Sequence, residues 1–348
     1  MKYAFSVFGW AADIAGCGYY RIGLPLWALR TGMNIRAEAS VIIPEEAKEE
    51  ADVIVGQRVC IETATKIWKT LHDKGKHLVF EVDDDLWNVH PHNELAFEFF
   101  NKTDVQERLI ANIKIADLVT VTNEALAEVV SKYNPNIAIL PNYIDEAMLR
   151  FERPRRDKLT VGWSGSFTHQ SDFSPMGPQL GRFLKKNPEV GMHFIGTNYS
   201  KTIKRESRFT EWSQEVATYH EAIDFDIGVI PLAPGVFNRS KSHIKALEYA
   251  ALGIPVVASD YGPYRDFVVH GVTGFLVKHD HEWGHYLYAL VKDEGLRESM
   301  GAKARELAAE HTIQRNVHRW YAAYASLLPP TPLVMAGEGV GTDGALCI

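Results

Sequence analysis

The segment Ser240–Val277, SKSHIKALEYAALGIPVVASDYGPYRDFVVHGVTGFLV, decides the fold. Lys245 and Glu248 stand three residues apart at the start of a helix-like run, KALEYAALG. That run stops at Gly253-Ile254-Pro255 and passes directly into the apolar strand PVVAS. A helix that turns sharply into a buried parallel strand is an αβ unit, and its N-terminus offers free N–H groups and a positive dipole end to an anion. Lys241 and Lys245 add full positive charge there. Glu248, one turn further in, can accept two hydrogen bonds from a ribose diol. The segment therefore reads as a place to hold an anionic nucleotide.

The same alternation runs outward in both directions. The first half opens with KYAFSVFGW, a glycine-bearing loop AADIAGCGYY and the helix-like RIGLPLWALRTG. Short apolar strands recur at ADVIVGQ, KHLVFEVD and ADLVTVT, and ETATKIWKTLHDKG and NEALAEVVSKY read as helices between them. Gly75 suits a C-cap and Asn123 an N-cap. The second half repeats the order: LTVGWSGS, the helix-like GPQLGRFLKKN, MHFIGTN, a helical reading of RFTEWSQEVATYHEAI, then DIGVIPL. Strands alternating with helices imply parallel sheets covered on both faces.

The segment 240–277 resembles the nucleotide-sugar motif of glycosyltransferases with two facing Rossmann-like domains, the GT-B fold. It is most similar to the large retaining family known as glycosyl transferases group 1, or family four, through its KxxEY and PVVAS elements. The resemblance implies an α/β protein with two doubly wound domains and a cleft between them. The implied parts are an N-terminal acceptor domain over 1–150 and a C-terminal nucleotide-sugar domain over 151–312. A helix over 313–328 crosses back to the first domain, and 329–348, rich in Pro and Gly, reads as a disordered tail. The implied function is transfer of a sugar from a UDP- or GDP-linked donor to an acceptor hydroxyl, with retention of configuration. Two other readings stay open: a non-catalytic nucleotide-sugar binder, and a nucleotide-sugar epimerase on the same fold.

The expected donor site joins Gly165, Ser166 and His169 to Lys241, Ser242, Lys245 and Glu248. Glycines and small serines in GWSGSFTHQSD let backbone approach a diphosphate closely. The chain departs from the family pattern twice. The arginine and lysine that usually clamp the diphosphate from this loop are missing, with His169 near the expected lysine. Ser240 stands where many members carry a second acid, so the sugar's identity is open.

Two further sites are expected across the cleft. Asp83, Asp84 and Asp85 follow a strand in a row, and adjacent carboxylates repel one another. Asp83 and Asp85 are the candidate catalytic residues, lining the cleft to position the acceptor hydroxyl or act as its base. A DxD metal site is the competing reading, and a solvated strand end the plain one. The resemblance implies no metal and no cofactor beyond the donor. Gly18 and Arg21, in the loop after the first strand, are the candidate acceptor contacts. That loop does not meet GxGxxG; a P-loop, a GxSxG elbow and HExxH are all absent from the sequence.

The net charge of −7 gives no general pull toward nucleic acid, so such a partner is not expected. Arg150, Arg153, Arg155, Arg156 and Lys158 read as a solvated interdomain linker. Three cysteines at wide spacing, Cys17, Cys60 and Cys347, argue against a disulfide framework or zinc site and for a reducing cytoplasm. MKYAFSVFGW reads as a strand rather than a signal peptide, and no run of eighteen apolar residues predicts a membrane span. Peripheral membrane contact and the acceptor's identity stay open.

Overall fold

Among the described residues twelve strands form two sheets. The first sheet holds β1 (Ser6–Trp10), β2 (Arg36–Ser40), β3 (Val53–Gln57), β4 (His77–Glu81), β5 (Leu118–Val121) and β6 (Ile137–Ile139) in the order β2-β1-β3-β4-β5-β6. The second holds β7 (Thr160–Gly165), β8 (Gly191–Gly196), β9 (Arg208–Glu211), β10 (Ile227–Ile230), β11 (Val256–Ser259) and β12 (Gly274–Val277) in the order β12-β11-β10-β7-β8-β9. Every pairing is parallel. This computed structural model describes residues 3–154, 157–213 and 215–329. The expected tail lies outside the described residues except at Pro329, as do Arg155, Arg156 and Cys347.

The strands read as continuous apolar runs because helices cover both faces of each sheet. β3, β5, β7 and β10 are buried along their whole length. Each sheet reverses its strand order at one place, between β1 and β3 in the first and between β7 and β10 in the second. Open α/β sheets bind ligands just beyond the carboxyl ends of the strands at such a reversal.

The final helix, Ile313–Ala325, packs against Leu24–Gly32 of the first half. Tyr321 contacts Phe5, Trp320 contacts Tyr143, and Arg319 Nη2 donates to the Ile139 carbonyl at 2.9 Å. Its Tyr and Trp residues recur at helical spacing and bury one face.

The expected helix in RFTEWSQEVATYHEAI is not formed. Arg208–Glu211 is the edge strand β9, and only Tyr219–Ala222 makes a short 3-10 turn. Residues 208–211 alternate between half-buried and exposed, which is strand period at a sheet edge, and Arg208 Nη1 donates to Asp224 at 2.6 Å. The helix expected from Gly177 begins earlier and runs Gln170–Lys186, its first turns masked in the sequence by Pro175 and Pro178. Among the described residues no helix is long and apolar enough to cross a membrane.

Candidate active site

The carboxyl ends of the two sheets face one another across a cavity of about 250 Å³. Ser164 and Ser166 enter it from the end of β7, with Thr168 and His169 beyond. Lys241 and Ser242 just before the helix Ile244–Ala251, and Lys245 and Glu248 within it, come from the second half; Ser242 Oγ accepts from the Ile244 amide at 3.1 Å, and the N-cap residue His243 makes no side-chain cap bond. From the first half come Gly16, Cys17 and Tyr20 of the β1 loop, Asp83 and Asp84 after β4, and Asn142. Side-chain bonds hold the floor together: Asn123 Nδ2 donates to the carbonyls of Ser240 and Lys241 at 2.9 Å each, and Asn142 Nδ2 to Ser242 Oγ at 2.9 Å.

Glu248 is 4 % exposed and meets two tyrosines. Tyr20 Oη, from the first half, donates to Oε1 at 2.5 Å, and Tyr219 Oη donates to Oε2. Burial pushes this carboxyl up, and the two phenols and Lys245 pull it back only in part. A carboxylate has about four acceptor positions, so the two phenols leave room for a diol.

Lys245 Nζ donates to the Ser164 carbonyl and lies 5.2 Å from the centre of the Trp163 ring. Burial, reinforced by Lys241, lowers its ammonium to about 8, against the pull of Glu248 and Asp172. Gly165 makes this approach possible, because a Cβ there would stand 2.7 Å from the Trp163 ring and 2.9 Å from Lys245 Nζ. The Lys241 ammonium lies 4.8 Å from the Phe237 ring and lines the same cavity.

His169 Nδ1 is 2.9 Å from Asp172 Oδ2. Burial and the two lysines lower this imidazole to about 4, so it is neutral at ordinary pH. Asp172 also accepts from the Ala233 amide and Asn238 Nδ2, and stays ionised. A neutral imidazole beside an ionised carboxylate donates from Nδ1, which leaves the His169 Nε2 lone pair as an acceptor.

The acidic run after β4 divides. Asp83 and Asp84 line the cavity, whereas Asp85 is 0 % exposed and turns into its own loop. Asp85 accepts from the Trp87 amide at 3.2 Å and Asn88 Nδ2 at 2.9 Å. Expected as a cleft residue, it is instead a local turn cap, and Asp84 takes the place facing the cavity. Burial pushes Asp83 up, but Arg58 and Arg21 outweigh it and hold the carboxyl below its usual range. Burial, Asp83 and Asp85 raise Asp84 despite Lys241.

Arg21 does not reach the cavity. It is 1 % exposed, and its guanidinium donates to both Glu81 oxygens at 2.7 and 3.0 Å, to the Leu140 carbonyl at 2.5 Å and to Asn142 Oδ1 at 2.9 Å. This buried pair fixes Asn142, which in turn holds Ser242; the expected acceptor contact is a positioning residue. Gly18 is needed for the loop itself, since a Cβ there would lie 1.8 Å from the Asp13 carbonyl oxygen. Sequence reasoning missed Tyr20, Tyr219 and Trp212, which line the cleft. Tyr20 sat inside the glycine loop as quoted; Tyr219 lay in a segment read as helix.

Residues 243–307, which include the helix with Lys245 and Glu248, match the model of the glycosyl transferases group 1 family. The chain is a glycosyltransferase of GT-B fold. The architecture of this glycosyltransferase is similar to that of HepE from Anabaena, solved in complex with UDP and glucose, at TM-score 0.65 and 13 % identity over 93 % of this chain and 100 % of that one. It is also similar to sucrose-phosphate synthase from Thermosynechococcus elongatus, at TM-score 0.59 and 14 % identity over 92 % of this chain and 98 % of the other. A UDP-forming trehalose-phosphate synthase from Burkholderia xenovorans gives TM-score 0.56 and 12 % identity over 79 % and 74 % of the two chains. At such identities the likeness is one of fold. Among curated proteins none matches this chain in sequence.

Proposed function

We propose that this glycosyltransferase moves a sugar from a nucleoside-diphosphate donor to an acceptor hydroxyl with retention at the anomeric carbon. One observation carries the reading: a single cavity joins a helix N-terminus, two lysines and, one turn further, a buried carboxylate. The diphosphate lies against the helix N-terminus, drawing Lys245 away from the Ser164 carbonyl. The ribose diol donates to Glu248 beside Tyr20 and Tyr219. Trp212, stacked on Tyr219 at 5.4 Å and 28°, offers its ring to the base. His169, an acceptor at Nε2, suits a sugar hydroxyl better than a phosphate oxygen.

On the opposite wall Asp84 accepts the hydrogen bond of the acceptor hydroxyl and orients it. That oxygen bonds to the anomeric carbon as the bond from that carbon to the diphosphate oxygen breaks. The hydroxyl proton passes to the departing diphosphate on the same face, and the two lysines and the helix end stabilise the charge that develops there. On this reading the reaction draws on no cofactor beyond the donor, and turnover in EDTA checks that point.

A non-catalytic binder is the second reading, favoured by the tyrosine-capped state of Glu248. A thermal-shift screen with UDP, GDP and ADP identifies the nucleotide, because a ligand bound only by the folded state raises Tm. Transfer of the sugar from the matching nucleotide sugar to methanol, with the anomer of the methyl glycoside read by NMR, then separates the readings. Retained configuration supports the proposal; inverted configuration overturns retention, and binding without transfer supports the binder.

A further inference from the structure

The strand reversal of the second sheet opens into the donor cavity. The reversal of the first sheet, between β1 and β3, opens into a separate cavity of about 370 Å³. This lies within the range of roughly 300–1,000 Å³ that small-molecule sites span. Its walls are apolar and aromatic: Trp10 at the end of β1, Ile61, Ile67, and Phe99 and Phe100 of the helix Glu94–Phe100. Hydrophobic side chains also lie exposed beside it, Ile61 at 51 % and, next to the lining residues, Ile42 at 73 %.

One residue lining this cavity carries a buried polar atom without a partner. Gln57, at the end of β3, is 2 % exposed. Its Oε1 accepts from the Ala12 amide at 3.0 Å, which fixes the amide's orientation. Its Nε2 is buried and has no hydrogen-bond partner among the described residues. An unpaired buried donor is destabilising, a penalty that a bound acceptor atom would relieve. Arg58, the next residue, holds a left-handed backbone at φ 49°, a conformation that L residues rarely adopt and that concentrates at functional sites. Its guanidinium donates to Asp13 at 2.8 Å and lies 3.5 Å from Asp83. Arg58 and Asp13 line this cavity while Asp83 lines the donor cavity, so the two are separated by one ion-paired partition.

We propose that this cavity is the subsite for an apolar group of the sugar acceptor, an alkyl or aryl moiety whose polar junction accepts a hydrogen bond from Gln57 Nε2. The inference rests on the glycosyltransferase reading above, since it places the group next to the wall where the acceptor hydroxyl meets Asp84. Carbohydrate alone does not fill a cavity walled by Trp10, Phe99, Phe100 and two isoleucines, and a charged acceptor would leave its hydration there. An amphiphile satisfies both the walls and the stranded amide.

The test is calorimetric titration of the full chain with three probes: methyl, n-octyl and 4-nitrophenyl β-D-glucopyranoside. The octyl or nitrophenyl glucoside is expected to bind at least about tenfold tighter than the methyl one, and which of the two leads distinguishes an alkyl from an aryl group. Thr63 is exposed at the cavity wall, so Thr63→Trp fills the space without disturbing the core. That variant should erase the preference, whereas Gln57→Ala should weaken the octyl and nitrophenyl glucosides several-fold by removing the donor to their polar junction. A UDP-induced Tm rise, read on the same samples, reports the donor site and folding separately. Equal binding of all three glucosides, or a preference that survives Thr63→Trp or is unaltered by Gln57→Ala, overturns the proposal. Binding to phosphatidylglycerol vesicles that Thr63→Trp abolishes, with no preference among the glucosides, makes the patch a membrane contact and also overturns it. Absence of the UDP shift in the unaltered protein would locate the failure in the donor reading instead.

Discussion

Glu248→Gln is the most informative single change. The substitution keeps the shape of the side chain and leaves an amide that still meets Tyr20 and Tyr219, so the cleft stays folded. What it removes is the charge toward the ribose. A hydrogen bond to a charged group contributes about 1.5–3 kcal/mol and a neutral one about 0.5–1.5, so two ribose bonds together lose roughly 2–3 kcal/mol. At 1.4 kcal/mol per decade, donor affinity should fall about 30- to 150-fold. The assay is calorimetric titration with UDP and with 2′,3′-dideoxy-UDP. By the same figures the unaltered protein should discriminate against the dideoxy compound by about 3–6 kcal/mol, roughly 150-fold or more, and the variant should lose about 2–3 kcal/mol of that discrimination. Unchanged UDP affinity would refute the ribose role. So would an equal loss for both ligands, because the effect would then not pass through the diol.

Other outcomes follow from the same geometry. Lys245 titrates near 8 in the empty protein, below its ordinary value of 10.5. Diphosphate favours its charged form, so UDP affinity should fall as pH rises through 8, and Lys245→Arg should flatten that limb; a flat profile for the unaltered protein contradicts the phosphate role. In the same window, between about 8 and 10.5, the unfolded chain binds the proton that the folded one has released, so this group makes the empty protein more stable as pH rises, readable in urea midpoints. Asp84→Asn should lower kcat by about 100-fold through lost orientation of the acceptor, whereas Asp85→Asn should lower Tm and spare kcat; the reverse pattern would restore Asp85 to the cleft. Arg21→Met leaves Glu81 buried without its ion partner and should destabilise the fold by about 3–5 kcal/mol, measured by urea denaturation.

The fold was legible because its signals are local. Continuous apolar strands separated by amphipathic helices announce a covered parallel sheet, and KALEYAALG running into PVVAS placed the key αβ turn. The helical reading of 208–223 failed because edge strands take their stability from a neighbour far away in sequence, here β8, rather than from their own pattern. That Lys245 and Glu248 meet at one wall of the cavity was readable for a similar reason: they share one short helix. The opposite wall was not. Arg21 and Asp85 look like cleft residues in one dimension, and only the positions of Glu81, Asn142, Trp87 and Asn88 show that both are already engaged. Tyr20 and Tyr219 converge on one carboxylate from 228 and 29 residues away, a coincidence that no spacing rule records.

The direct measurement is a structure of the chain with UDP bound. The account predicts diphosphate oxygens within hydrogen-bond reach of Lys245 Nζ and the start of the Ile244–Ala251 helix, with both ribose hydroxyls on Glu248. A nucleotide bound elsewhere, or a Glu248 that still meets only Tyr20 and Tyr219 while the nucleotide occupies the cleft, would contradict it.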